Sequence, residues 1–101
     1  MGAEAFAPVR LRLQELMEYV AGFLAAYEQK SRETRATYNR ALREFLYFFT
    51  RDRRFFFRPR DVERYRAYLV RIKKLQPASV ATYMTALRRL CQYLVDRGVL
   101  E

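Results

Sequence analysis

Residues 77–98 read Pro77-Ala-Ser79-Val80-Ala-Thr82-Tyr83-Met84-Thr85-Ala86-Leu87-Arg88-Arg89-Leu90-Cys91-Gln92-Tyr93-Leu94-Val95-Asp96-Arg97-Gly98, and this stretch decides the fold class. Val80, Tyr83, Met84, Leu87, Leu90, Cys91, Leu94 and Val95 recur at steps of three and four. That spacing draws one wide apolar stripe down a helix. Pro77 suits the first helical position because its ring presets φ and its missing N–H costs nothing there. Gly98 stands where a helix C-terminal glycine belongs.

Three more helices follow on moving outward. Lys73 to Gln76 form a short turn, and upstream of it Pro59 opens a third helix that buries Val62, Tyr65, Ala67, Tyr68, Leu69 and Ile72. Pro59 also disfavours helix at Arg58, so a break is expected there. The second helix has Ser31 as N-cap and ends near Arg51 or Asp52, with Thr34, Tyr38, Ala41, Leu42, Phe45 and Phe49 on one face. The first spans about Pro8 to Gln29, with Leu13, Leu16, Met17, Val20, Phe23, Leu24 and Tyr27 as its stripe and Gly22 as a mild weakness. The connector Arg51–Arg60 is basic and aromatic. Phe55, Phe56 and Phe57 cannot all face one way, so the expectation is a cap on the core with at least one ring exposed for a partner domain or a base.

The chain has 101 residues, one domain's worth, and 51% are hydrophobic, enough for one compact core. Glycine and proline number three each, too few breakers for a sandwich or barrel. The reading is a single all-α domain, 1–101, built as a four-helix bundle with short loops.

The net charge is +9, and it is unevenly spread. Residues 1–29 carry two basic and four acidic side chains, residues 30–60 ten and three, and residues 61–101 eight and four. An excess gathered in the middle third favours a polyanionic partner, usually nucleic acid. Seventeen of the twenty basic residues are Arg, whose planar fork suits phosphate and guanine edges.

No enzyme chemistry is legible. The chain has no histidine, which excludes Ser-His, Cys-His and HExxH arrangements, and with one cysteine it offers no zinc cluster. It has no glycine-rich phosphate loop, and no cofactor is expected. Cys91 reads as a small hydrophobe on the apolar face. No stretch approaches the roughly 20 apolar residues of a membrane span, and Glu4 and Arg10 interrupt any signal-peptide pattern. A cytoplasmic setting is the default expectation.

The candidate binding residues lie beside the stripes. On the second helix, about 100° per residue puts Thr37, Arg40 and Glu44 on one flank and Arg32, Arg35, Asn39 and Arg43 on the other. On the fourth, Ser79, Thr82, Ala86, Arg89 and Tyr93 form one flank, Arg88 and Gln92 the other, and Thr85 faces away from the core. Hydroxyls and helix N-terminal amides donate to phosphate oxygens, while Arg supplies charge or reads guanine. The expected DNA-binding set is therefore Arg32, Thr34, Arg35, Thr37, Arg40, Ser79, Thr82, Thr85, Arg88 and Arg89.

Three stretches carry a resemblance. Ser31-Arg-Glu-Thr34-Arg-Ala-Thr37-Tyr38-Asn-Arg40-Ala-Leu42-Arg-Glu-Phe45 is similar to S-x-x-T-x-x-x-Y-x-x-x-L-x-x-F of the tyrosine recombinases, the phage integrase family. Pro59-Arg-Asp61-Val62-Glu-Arg-Tyr65-Arg-Ala-Tyr68-Leu69 resembles its T-P-E-D-V-x-x-Y-x-x-x-L, and Ser79–Leu100 its S-[TV]-x-x-x-[LM]-x-A-L-R-x-[LF]-x-x-[YW]-L-V-x-x-G-x-[LI]. The likeness covers about residues 16–100 in order.

The resemblance implies the SAM-like orthogonal bundle that forms the N-terminal, core-binding arm of a C-shaped clamp. Its second and fourth helices would face the major groove of double-stranded DNA. Thr34, Thr37 and Arg40 match contact-region positions on the second helix, and Ser79, Thr82 and Arg89 on the fourth. Implied partners are the catalytic domain of a parent recombinase and neighbouring protomers.

The departures are as informative. The family's catalytic domain uses Arg, Lys, His-x-x-Arg and a nucleophilic Tyr, and would begin just after Leu100. Here the chain stops at Glu101, has no histidine, and none of its eight tyrosines can be assigned as that nucleophile. The catalytic domain is expected to be absent. The alternative is a helical interaction or dimerisation module without nucleic acid, suggested by the aromatic excess at Phe55–Phe57 and Tyr93. A helix-turn-helix regulator finds no recognition-helix signature around Lys73–Gln76.

Overall fold

The computed structural model describes residues 10–26 and 31–101. Four helices run in order: α1 Leu13–Ala26, α2 Arg32–Arg51, α3 Pro59–Arg71 and α4 Pro77–Asp96. The chain is an all-α four-helix bundle, with α2 packed on α4 and α1, α3 on α4, and α1 on α4. The expected start at Pro8, the end at Gln29 and the burial of Tyr27 fall outside the described residues.

The helix ends follow the sequence signals. Ser31 caps α2: its Oγ accepts from the Thr34 N–H at 3.0 Å. Pro59 and Pro77 occupy the first turns of α3 and α4. At the end of α4, Gly98 adopts φ +76°, a region that favours glycine. Its N–H donates to Val95 C=O and that of Val99 to Leu94 C=O, the paired bonds of a Schellman motif.

The core is built mainly from α2 and α4. Leu42, Phe45 and Phe49 of α2 meet Leu87, Leu90 and Leu94 of α4, all buried, with Leu16, Val20 and Phe23 of α1 and Tyr65 and Leu69 of α3. Five expectations are corrected at its edges. Met17 is 52% exposed and Leu13 is also exposed, because α1 is buried only along the narrow stripe Leu16, Val20 and Phe23. Val95 lies on the outer margin of a stripe wider than the contact it makes, and is exposed. Ile72 is 69% exposed: it is the C-cap at the end of α3, still in the right-handed helical region and bonded to the Tyr68 C=O, but past Leu69, the last buried residue of the helix. Residues 10–12 are not helical. Arg10 instead reaches across to the Asp52, Phe49 and Phe55 carbonyls at 2.8, 3.2 and 3.3 Å, and the Arg12 N–H is taken by Glu15 Oε1 at 3.2 Å. Phe48 and Ala86 are buried although neither lay in the expected stripes.

The connector also differs from expectation, since none of its three rings is exposed. Phe55 is fully buried, edge-on to Phe45 at 5.1 Å and to Phe57 at 4.9 Å. Phe57 reaches Phe45 and Phe49 only by adopting φ +61°, a conformation costing roughly 1 kcal/mol for a bulky residue. Phe56 is half-buried under the Arg58 guanidinium, 4.9 Å from its ring centroid.

What holds the connector in this path is Asp61, a charged residue buried in the first turn of α3. Its Oδ2 accepts from the Phe56 N–H at 2.8 Å, the Arg58 N–H at 3.2 Å and Arg58 Nε at 2.9 Å, and its Oδ1 accepts from Arg64 Nη1. Arg64 turns its other nitrogens on Asp52, with Nη2 2.7 Å from Oδ2. Burial by itself would raise the Asp61 pKa. The donors from Arg58, Phe56 and Arg64 overcome it and hold the carboxyl far below the usual carboxylate range.

Among the described residues, no group pairs with the buried Tyr65 hydroxyl. Burial, then the charge of Glu44, pushes its pKa upward. At the α1–α4 contact, a Cβ on Gly22 would stand 2.6 Å from the Tyr93 Oη but 3.7 Å from the Tyr93 Cζ.

Two outcomes follow. Gly22→Ala should destabilise the wild-type background, because Tyr93 must shift off Phe23. In a Tyr93→Phe background the same change should stabilise by about 0.5–1 kcal/mol, the helix-propensity gain. Chemical denaturation of the four-member cycle measures the sign change. Asp61→Asn should cost about 2 kcal/mol, less than the ~3–5 kcal/mol of a fully buried pair because both arginines reach solvent. The depressed Asp61 pKa means its contribution is complete above the unfolded value near ~4 and fades as pH falls below it toward the folded value. Asp61→Asn should therefore flatten the acid limb of a melting-temperature profile measured from pH 5 to pH 2.

Candidate nucleic-acid interface

Two sets of contacts relate the helices that carry the expected binding residues. Phe23 of α1 stacks on Tyr38 near the start of α2 at 6.2 Å and meets Tyr93 near the end of α4 edge-on at 5.6 Å. At the other end, Lys73 in the turn before α4 pairs with Glu44 in the second half of α2 at 3.4 Å. Phe23 thus brings the first half of α2 and the last turns of α4 together on α1.

The ten expected residues are spread over three surfaces. Arg32 and Arg35 line a groove of about 450 Å³ between α1 and α2, with Ala21, Leu24, Ala25 and Asn39. Thr37 is half-buried and Arg40 exposed on the opposite flank of α2, the side turned toward α3. Glu44, on that same flank, is drawn away from Arg40. It accepts from Tyr68 Oη at 2.6 Å and pairs with Lys73, and burial together with this bond pushes the Tyr68 pKa up to about 12. Thr85 and Arg88 line a third surface, a groove of about 450 Å³ between α3 and α4, floored by Val70, Val80 and Met84.

On α4 the polar residues meet. About 100° per residue places Thr82, Arg89, Thr85 and Arg88 within one sector of about 120°. Both arginines are exposed and both threonines half-buried. Ser79 is half-buried beside them, whereas Ala86 from the same expected flank is fully buried. That flank turns inward in the middle and outward at its ends. Thr85 was expected to stand clear of the bundle, and instead edges the α3–α4 groove.

The hydroxyls are not equivalent donors. Thr34 Oγ1 accepts from Ser31 Oγ at 2.8 Å, so the Thr34 proton remains available to a phosphate oxygen. Thr82 Oγ1 donates to Ala78 C=O at 3.1 Å, so its proton is already engaged. Sequence reasoning missed Arg66. It projects from the exposed side of α3 into the same groove as Arg88 and Thr85. Its position beside Tyr65 in the helical register is legible, but its neighbours depend on how α3 docks on α4.

The surface is suited to holding an anion rather than transforming one. Burial pushes the Cys91 thiol up to about 11, which keeps it protonated at neutral pH. The half-buried Asp52 and buried Asp61 are each held by arginine. Among the described residues, no three His, Cys, Asp or Glu side chains gather as metal ligands would, and no helix is long and apolar enough to cross a membrane.

Residues 11–101 match the family described as phage integrase, N-terminal SAM-like domain. Neither the search of curated proteins nor that of solved structures returned a match.

Proposed function

The chain belongs to the phage integrase N-terminal SAM-like domain family, and on that premise we propose that it grips double-stranded DNA as the non-catalytic, core-binding arm of a site-specific tyrosine recombinase. The observation that carries this reading is how the positive charge divides. Arg58 and Arg64 are spent on Asp61 and Asp52 inside the connector. Arg32, Arg40 and Arg43 of α2 and Arg88 of α4 stand exposed, on the two helices that this reading turns toward DNA.

In this reading Arg40 and Arg89 hold phosphates on either side of the α2–α4 contact, and Thr34 adds a hydroxyl donor. Arg88, Thr85 and Arg66 extend the grip along the α3–α4 groove. Thr37 and Ser79 set the register, and Thr82 contributes mainly its methyl group while its hydroxyl bonds to Ala78. Strand cleavage belongs to a separate catalytic domain, which with neighbouring protomers on the same DNA completes the functional assembly inside the cell. Binding by this domain alone rests on phosphates and is weak and salt-dependent.

The other reading, an interaction module without nucleic acid, loses the support of Phe55 and Phe57, which pack in the aromatic core. Titrating a labelled duplex at several salt concentrations separates the two. With about four phosphate contacts, affinity should fall roughly 100-fold between 50 and 200 mM salt, and Arg40→Glu with Arg89→Glu should remove about half of the salt slope. A duplex affinity indifferent to salt, or to those two reversals in a chain that still melts cooperatively, would sink the DNA reading.

A further inference from the structure

The C-terminal end of α2 carries a feature that the DNA reading does not use. A cleft of about 530 Å³ opens there, floored by Phe48, Tyr68 and Ile72 and rimmed by Arg51, Arg53 and Arg54. Ile72 is the most exposed large hydrophobic side chain among the described residues. Beside the cleft, Tyr47 is half exposed with the Arg51 guanidinium 4.4 Å from its ring centroid, which extends the apolar strip. The three rim arginines are exposed. The one carboxylate at the rim, Asp52, is bound by Arg64 through Nη2 and Nε, so its charge is directed inward. The cleft therefore presents three guanidinium groups around an apolar floor. The connector that bears two of them is pinned by Asp61, so little ordering is needed on binding.

We propose that this cleft docks an acidic amphipathic segment of a partner protein, with an apolar side chain on Phe48, Tyr68 and Ile72 and carboxylates on Arg51, Arg53 and Arg54. The charge complementarity selects an acidic partner. The exposed isoleucine and aromatic floor select a peptide over a phosphate backbone, which gains nothing from an apolar contact. A helix laying apolar anchors into a groove is an established recognition mode, and arginine–carboxylate pairs at its edge fix its direction. The inference stands independently of the DNA reading.

The test uses the full chain and a fluorescein-labelled synthetic 18-mer with leucine at alternating three- and four-residue steps and glutamate elsewhere. A second 18-mer has serine in place of each leucine. Anisotropy should show saturable binding of the leucine peptide only. Ile72→Ser, and separately Arg53→Glu with Arg54→Glu, should each weaken it about tenfold or more. Arg40→Glu with Arg89→Glu should change it less than about twofold, as distant sites do. Equal binding of the serine peptide, or no effect of Ile72→Ser, overturns the proposal. So does a loss of duplex affinity in Arg53→Glu/Arg54→Glu as large as that in Arg40→Glu/Arg89→Glu, which would assign the cleft to nucleic acid. All substituted positions are exposed, and circular dichroism checks that each variant keeps its helices.

Discussion

Asp61 is the one buried charge among the described residues, and the arrangement of the other charges depends on it. A carboxylate out of contact with water is tolerable only when its lone pairs are filled. Here two backbone N–H groups and two guanidinium groups fill them. Those donors come from both sides of Pro59, so satisfying the carboxylate fixes the turn from connector into α3. Fixing that turn seats Phe55 against Phe45, Phe48 and Phe49 of α2 and leaves Arg53 and Arg54 on the outside. Polar satisfaction and aromatic packing thus specify the same chain path.

The same network sorts the arginines into two kinds. Arg58 and Arg64 are structural counter-ions, and Arg10 belongs with them, bridging three backbone carbonyls and lying 3.9 Å from the Phe49 ring centroid. Arg32, Arg40, Arg43 and Arg88 on the α2 and α4 faces stand exposed outside that network. Net charge read from a sequence mixes the two kinds. Of Arg58, Arg64 and Arg10 only Arg58 lies in residues 30–60, so the excess there is reduced by one partly exposed counter-ion and stays largely accessible. The accessible charge is concentrated on the α2 and α4 faces and at the cleft below α2.

The helices were legible because each obeys local rules: Ser31, Pro59 and Pro77 mark starts, Gly98 marks an end, and the three-and-four spacing marks the buried face. The failures have physical causes. Met17 and Leu13 fit the spacing as well as Leu16 does, but spacing does not say how wide a strip the neighbours cover. Ile72 fits as well as Leu69, but it stands at the end of α3, past the helix's last buried residue. Asp61 reads as an ordinary first-turn acid, because its burial depends on Arg64 and on the path of Phe55 and Phe56. For the candidate site, helical angles give the flanks of α2 and α4 correctly. Whether a flank is covered is a tertiary matter, which is why Ala86 proved buried and Arg66 was overlooked.

The close approach of Gly22 to Tyr93 has a consequence for how the bundle forms. The two residues lie roughly 70 positions apart, so joining them closes a loop of more than two thirds of the chain, at an entropic cost that rises with loop length. Contacts between α3 and α4 bridge a far shorter stretch and can form earlier. α1 also packs on α2, its neighbour in sequence, so the Gly22–Tyr93 approach is the contact that ties the first helix to the last rather than the one that holds α1 on the domain.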